Sequence, residues 1–266
     1  MRLKVVGCEV LARQLYYAAS LTPHVVDIEL VAKGLHSEPD RLRAELQRRV
    51  AGADAAVYGA IALGYGLCSN AIVGVSHPSL RIVVPRAHDC ITLYLGAAER
   101  YAEEFRANPG TYWYAPDYME RNTGGDDRTV GLGASGDDAQ VQETYQEYVA
   151  KYGQDNADYL MEVMGAWKAH YSRAAYIDTA EMRLPDYSQE AREVAERRGW
   201  TFQRLAGSFV LVRDLLEGRW DAERFLVVEP GQTVQPSYDQ RIINSALSAD
   251  PAPGTACEAH TPRMNS

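Results

Sequence analysis

Residues 62–92 read ALGYGLCSNAIVGVSHPSLRIVVPRAHDCIT, and the two apolar runs in this stretch, each followed by a cysteine, decide the fold. The first run leads through Gly64 and Gly66 to Cys68; the second, Leu80 to Val84, leads through Arg86 and His88-Asp89 to Cys90. Cys8 occupies the same place after an earlier run, Leu3 to Val6. Parallel strands bring their carboxyl ends to one edge of a sheet, so three thiols at three strand ends are expected close together.

Outward from this stretch, strands alternate with helices. Glu9 to Ser20 carries Val10, Leu11, Leu15, Tyr16 and Ala19 at helical spacing. Val25 to Val31 reads as a second strand, and a helix from Pro39 places Leu42, Leu46 and Val50 on one stripe. Ala55 to Ala62 is nearly all apolar, as a strand covered on both faces is. The alternation predicts an α/β fold, a parallel sheet flanked by helices. Later strands are expected at Ala174 to Ile177, Thr201 to Leu205 and Phe225 to Val228, with helices at Tyr187 to Arg198 and Gly207 to Leu216. Two Rossmann-like halves with a cleft between them follow. The chain divides into an N-terminal α/β half carrying the cysteines (1–107), an aromatic loop and helical insertion (108–172), a C-terminal α/β half (173–245) and a disordered tail (246–266). The insertion includes a polar run at 123–138 and a helical face of Tyr159, Val163, Met164 and Trp167.

Of 266 residues, 46% are hydrophobic, enough for a substantial core. A formal charge of −9 excludes a general binder of nucleic-acid backbones. No apolar run approaches the length of a membrane span, so neither nucleic acid nor membrane is expected as a partner. The N-terminus runs straight into a strand, which predicts a cytoplasmic protein with reduced thiols. Four cysteines in this length are too few for a disulfide scaffold and read as ligands or reactive thiols. Cys257 and His260 fall in the tail and are set aside.

Three thiolates, Cys8, Cys68 and Cys90, suit zinc or an iron–sulfur cluster and leave one coordination position open. Their spacing matches no short metal motif, and three small buried hydrophobes is the plain alternative. His88 is the nearest candidate fourth ligand or a general base, and His36 is another ligand candidate. Arg86 can hold an anion bidentately, so His88 and Arg86 are the catalytic candidates. Asp89 is expected to cap a helix starting at Cys90. Gly64 to Asn70 reads as a Gly-rich turn opening a helix, whose N–H groups would bind an anion and lower the pKa of Cys68. It lacks the lysine of a P-loop. Tyr65, Gly66 and Asn70 are accordingly substrate-binding candidates. Tyr112 to Arg121 reads as an aromatic lid, with Tyr112 touching substrate. Ser208 and the Glu229-Pro230-Gly231 turn are expected to form the far wall of the cleft.

YGLCSN (65–70), RAHDCITLYLG (86–96), GTYWYAPDYMER (110–121) and LLEGRWDAERFLVVEPG (215–231) resemble a bacterial and archaeal family, domain of unknown function 1638. The resemblance runs to about residue 235. Members of that family often accompany corrinoid-dependent methyltransferase systems. By association the resemblance implies one-carbon chemistry, with a corrinoid or methyltransferase protein as partner. Its pattern centres on Cys8, Cys68, His88 and Cys90. Three expectations stand: a zinc site acting on a small molecule, a 4Fe–4S cluster on the same cysteines, or a non-catalytic partner whose cysteines are structural. A simple thiol-redox role is a fourth, weaker one.

Overall fold

β1 (Arg2–Cys8) is flanked in its sheet by β2 (Val25–Val31) on one side and β3 (Ala60–Gly64) on the other, both parallel to it. β4 (Ile82–Pro85) continues the sheet in parallel beyond β3. The computed structural model describes residues 1–68, 70–121, 154 and 171–248, with backbone alone at His36 and Ser37. The expectations for 123–138, for Tyr159 to Trp167 and for Cys257 and His260 lie outside the described residues.

Both faces of this sheet are covered, as its near-continuous apolar strands require. On one face Leu3, Val5, Ala62 and Val83 meet Leu11, Leu15 and Ala18 of the chain leading into and through α1 (Ala12–Leu21). On the other, Val6, Ile61, Leu63 and Val84 meet Leu42, Leu46 and Val50 of α2 (Pro39–Ala51). A Leu side chain so buried contributes about 1.5–3 kcal/mol. β1 and β3 also approach closely where glycine faces glycine: Gly7 pairs with Gly64, and a Cβ on Gly7 would run into Leu15 Cδ1.

The later part of the chain forms a smaller parallel sheet, β5 (Thr111–Tyr114), β6 (Arg173–Asp178) and β7 (Thr201–Ala206), in the order β5-β6-β7. α6 (Ser188–Arg198) crosses from β6 to β7 and ends at Gly199, whose φ of 70° suits a residue without a Cβ. α7 (Val210–Leu216) returns the chain toward the first sheet. Tyr112 to Arg121 is therefore a strand followed by a short helix, α5 (Pro116–Glu120), rather than a loop.

Two expectations are corrected. β8 (Phe225–Val228) does not join the second sheet. It pairs antiparallel with β4, Phe225 opposite Pro85 and Val228 opposite Ile82. The halves are therefore five strands and three, not two copies of one unit. β3 also begins at Ala60 rather than Ala55, because Asp54 organises a turn there: its Oδ1 accepts from Ala56 N–H (2.8 Å) and its carbonyl from Val57 N–H (3.0 Å). The antiparallel hairpin β9 (Gln232–Pro236) and β10 (Ile243–Leu247) closes the described chain. No helix among the described residues is long and apolar enough to cross a membrane.

Candidate functional site

β1 ends on Cys8; Cys68 stands four residues past β3 and Cys90 five past β4, all at the carboxyl edge. The two later loops are stitched together by strand-like bonds: Leu67 N–H donates to Ala87 O (2.8 Å) and Cys68 N–H to His88 O (2.9 Å). Gly66 is what lets them touch. A Cβ there would lie 2.7 Å from Asp89 N and 2.9 Å from Ala87 O, both backbone atoms with nowhere to go. The motifs YGLCSN and RAHDC are thus two sides of one contact.

Among the described residues all three cysteines are free. Burial pushes the Cys8 thiol up to about 11, opposed by the Val10 N–H. Cys68 and Cys90 are also pushed well up, by burial first and then by neighbouring charge, from Cys8 and Asp89 in one case and from Asp89, Cys68 and Cys8 in the other. The three sulfurs therefore sense one another and are neutral thiols at pH 7. They do not converge on one point: among the described residues no group of three or more His, Cys, Asp or Glu could hold a metal ion as it stands.

Asp89 caps α3 (Cys90–Leu95) as expected, its Oδ1 accepting from Ile91 N–H (3.0 Å) and Thr92 N–H (3.3 Å). The other carboxylate oxygen lies near the Tyr101 hydroxyl without the geometry of a hydrogen bond. Tyr65 is buried beside Cys8 and Cys68. Its hydroxyl comes close enough to Cys8 to lower that thiol's pKa, yet meets no partner at hydrogen-bond geometry. Tyr118, in α5, is the part of the aromatic segment that reaches the thiols; burial, then the charges of Cys90 and Cys8, raise its pKa.

Other candidates fall elsewhere. No helix follows Cys68. Residues 70–74 are turns, with Asn70 at φ 66° and Gly74 at φ 85°, and burial raises the Cys68 pKa instead of lowering it. Asn70 is exposed and its carbonyl accepts from Arg43 (3.1 Å). The Arg86 guanidinium is committed to the carbonyls of Ala222 (2.9 Å), Arg241 (3.0 Å) and Ile243, tying β4 to the loop before β8 and to the final hairpin. That gives it a structural role and leaves no fork for an anion. His88 is exposed, its ring 6.3 Å from that of Tyr101. Tyr112 points to the far face of the second sheet, against Tyr171 and Trp200, while Trp113 faces the shared core. Ser208 packs on Gly96 at the far end of α3 from Cys90, and its N–H donates to Tyr94 O (2.9 Å). Because β8 is antiparallel, the Glu229-Pro230-Gly231 turn lies at the opposite edge of the sheet.

One buried carboxylate was not foreseen. Asp117, in the first turn of α5, is fully buried, and its Oδ2 accepts from Arg13 N–H (2.8 Å). Burial raises it to about 6. The Pro116-Asp117 pair marks a helix start, and nothing local to it signals burial against Arg13.

Fold and site together define an α/β protein with a mostly parallel sheet whose carboxyl edge carries three thiols, Cys68 buried and Cys8 and Cys90 partly buried. Residues 30–216 match the family described as protein of unknown function, DUF1638, and the chain belongs to that family. The match takes in Cys68, Cys90 and Asp117, while Cys8 precedes it and β8 follows it. No curated protein and no solved structure matches the chain.

Proposed function

We propose that Cys8, Cys68 and Cys90 form a three-thiolate zinc site whose open position presents a small molecule for reaction. The observation that carries this reading is the delivery of three unbridged thiols, one buried and two partly buried, by neighbouring parallel strands, each raising the next one's pKa. Such a group is costly as thiolates and inert as thiols. A soft cation reverses both, since a coordinating thiol is deprotonated outright. No three described ligand side chains lie in metal-holding geometry as they stand, so binding would have to draw the three sulfurs together. Zinc would also lower the pKa of a thiol bound in the open position and present it as a nucleophile. Methyl transfer in company with a corrinoid protein is the setting that the family's associations suggest.

A second reading keeps the same three unbridged cysteines and places a 4Fe–4S cluster on them. Elemental analysis of tag-free protein purified anaerobically separates them. Zinc at about one equivalent, lost from a Cys68→Ser/Cys90→Ser variant, supports the first. A brown protein with about four irons supports the second. Less than about a tenth of an equivalent of either metal sinks both.

A further inference from the structure

The hairpin of β9 and β10 is tied to the rest of the fold in two different ways. Along β9 the ties are backbone bonds: Gly74 N–H donates to Val234 O (2.8 Å) and Val234 N–H to Val75 O (3.2 Å), with the Val234 side chain fully buried. At the turn, among the described residues, the hydrogen bonds to the rest of the fold come from one side chain. The Arg86 guanidinium donates from Nη1 to Arg241 O (3.0 Å) and to Ile243 O, while its Nε holds Ala222 O (2.9 Å) in the loop before β8. The turn's other bonds are internal. Ser237 N–H donates to Ile242 O (2.9 Å) and Ile242 N–H to Asp239 O (3.2 Å), and the Asp239 carboxylate accepts from the Ser237 hydroxyl (2.7 Å) and Arg241 N–H (2.9 Å). Tyr238, at the tip, is fully exposed and adds nothing to the attachment.

The residue between the two clamped carbonyls is strained. Ile242 sits at φ 66° in the middle of a three-residue turn closed by Ile243 N–H on Arg241 O (2.6 Å). A β-branched residue resists that left-handed conformation, because its Cβ crowds the following carbonyl. Strain of this kind persists only where the surroundings over-determine it. Two things do so here. The Ile242 and Ile243 side chains are buried in the core on the α2 face, and Arg86 grips the carbonyls on either side of Ile242. We propose that the hairpin is a strap, hinged at Val234 and latched by Arg86, which opens from its turn and relaxes Ile242 as it does so. Opening takes from Arg86 two of its three carbonyl partners and leaves Ala222 O. Arg86 begins the RAHDC loop, which carries Cys90 and is bonded to the Cys68 loop, so the strap sets how firmly that loop is held at the end of β4.

The test is residue-resolved amide hydrogen exchange, read by NMR on the full chain in wild type and three variants. In wild type the Ser237, Ile242 and Ile243 amides are expected to exchange about tenfold or more faster than those of Val234 and Gly74. Ile242→Ala and Ile242→Gly both lose the buried side chain and differ in their tolerance of positive φ. Strain held by a latch predicts turn amides about tenfold better protected in the glycine variant than in the alanine one. Arg86→Lys supplies a single ammonium that cannot span the three carbonyls. It should speed exchange at Ile242 and Ile243 about tenfold and leave Val234 and Gly74 within about twofold. Equal protection in the glycine and alanine variants overturns the strained latch. Turn and hinge amides accelerating together in Arg86→Lys overturn the hinge. Turn and hinge amides exchanging alike in wild type overturn the strap itself, and that result needs no variant to fold.

Discussion

At the carboxyl edge of the five-stranded sheet, parallel strands hand on to Cys8, Cys68 and Cys90, buried or partly buried in an apolar surround that raises every thiol's pKa. At the carboxyl edge of the three-stranded sheet, β6 and β7 hand on to a half-exposed ionic group. Arg204 there bridges Asp178 (2.5 Å) and Asp186 (2.8 Å). The two edges share a topology and differ in solvent. Where water has access, charges pair and settle; where α5 and the stitched loops exclude it, groups are left neutral, and several polar atoms are left without partners. Topology alone does not make a site. The exclusion of water at one of two similar edges does.

The comparison breaks most completely at Gly66. Substitution by alanine drives a Cβ into the backbone of Ala87 and Asp89, and no side chain can swing aside to accept it. The loops bearing Cys68 and Cys90 must separate, which is expected to cost more than about 3 kcal/mol in urea unfolding, at the upper end of overpacking effects. On the proposed zinc reading, metal uptake falls with it. Gly7→Ala is the control: its clash is with the tip of the Leu15 side chain, which can rotate, so the loss should be smaller. Equal losses would show that the loop contact has no special standing.

A smaller and opposite effect is expected at Asp117. Its pKa is raised to about 6 by burial, above the ordinary aspartate value near 3.8. The folded state therefore holds the proton more tightly than the unfolded one. Stability from this group is fully present below about pH 4 and is lost as pH rises through about 6. Above that range the ionised form costs up to about 3 kcal/mol. Asp117→Asn, which cannot ionise, should melt higher than wild type at pH 7.5, with the gain shrinking toward pH 4. A pH-independent difference would mean that the carboxylate is stabilised where it lies, and the contrast between a dry edge and a wet one would lose its clearest mark.

The parallel sheet and its thiol edge could be read from apolar runs because a buried parallel strand has few other ways to look. What the runs could not give was direction or face. Phe225 to Val228 is as apolar as any parallel strand, yet it enters from the far edge, since the choice is made by its partner β4 and by Arg86 anchoring the loop before it. Tyr112 and Trp113 are equally aromatic, and alternation along β5 sends one to each face; only the position of the second sheet decides which face meets the thiols. Asp89 was legible as a cap because the signal is local. Asp117 was not, because its burial depends on Arg13 and Glu9, more than a hundred residues away in sequence. The helix expected after Cys68 failed for a local reason that the sequence did carry: Asn70 and Gly74 both adopt left-handed backbone, which a helix start does not tolerate.

The gentlest probe of the comparison is Arg204→Ala at the wet edge. Arg204 is 45% exposed, and its partners Asp178 and Asp186 are 31% and 51% exposed. Solvent screens both pairs, so their loss should cost less than about 1 kcal/mol. Asp186 is held down to about 2, by the Ser188 hydrogen bonds first and Arg204 after them. The small contribution is thus present above about pH 4 and fades as pH falls toward 2. On the proposed zinc reading, metal content does not change, because this ionic group belongs to the other sheet's edge. A loss of bound metal in this variant would mean that the two edges act as one site, and that the three thiols depend on β6 and β7 as well as on the strands that carry them.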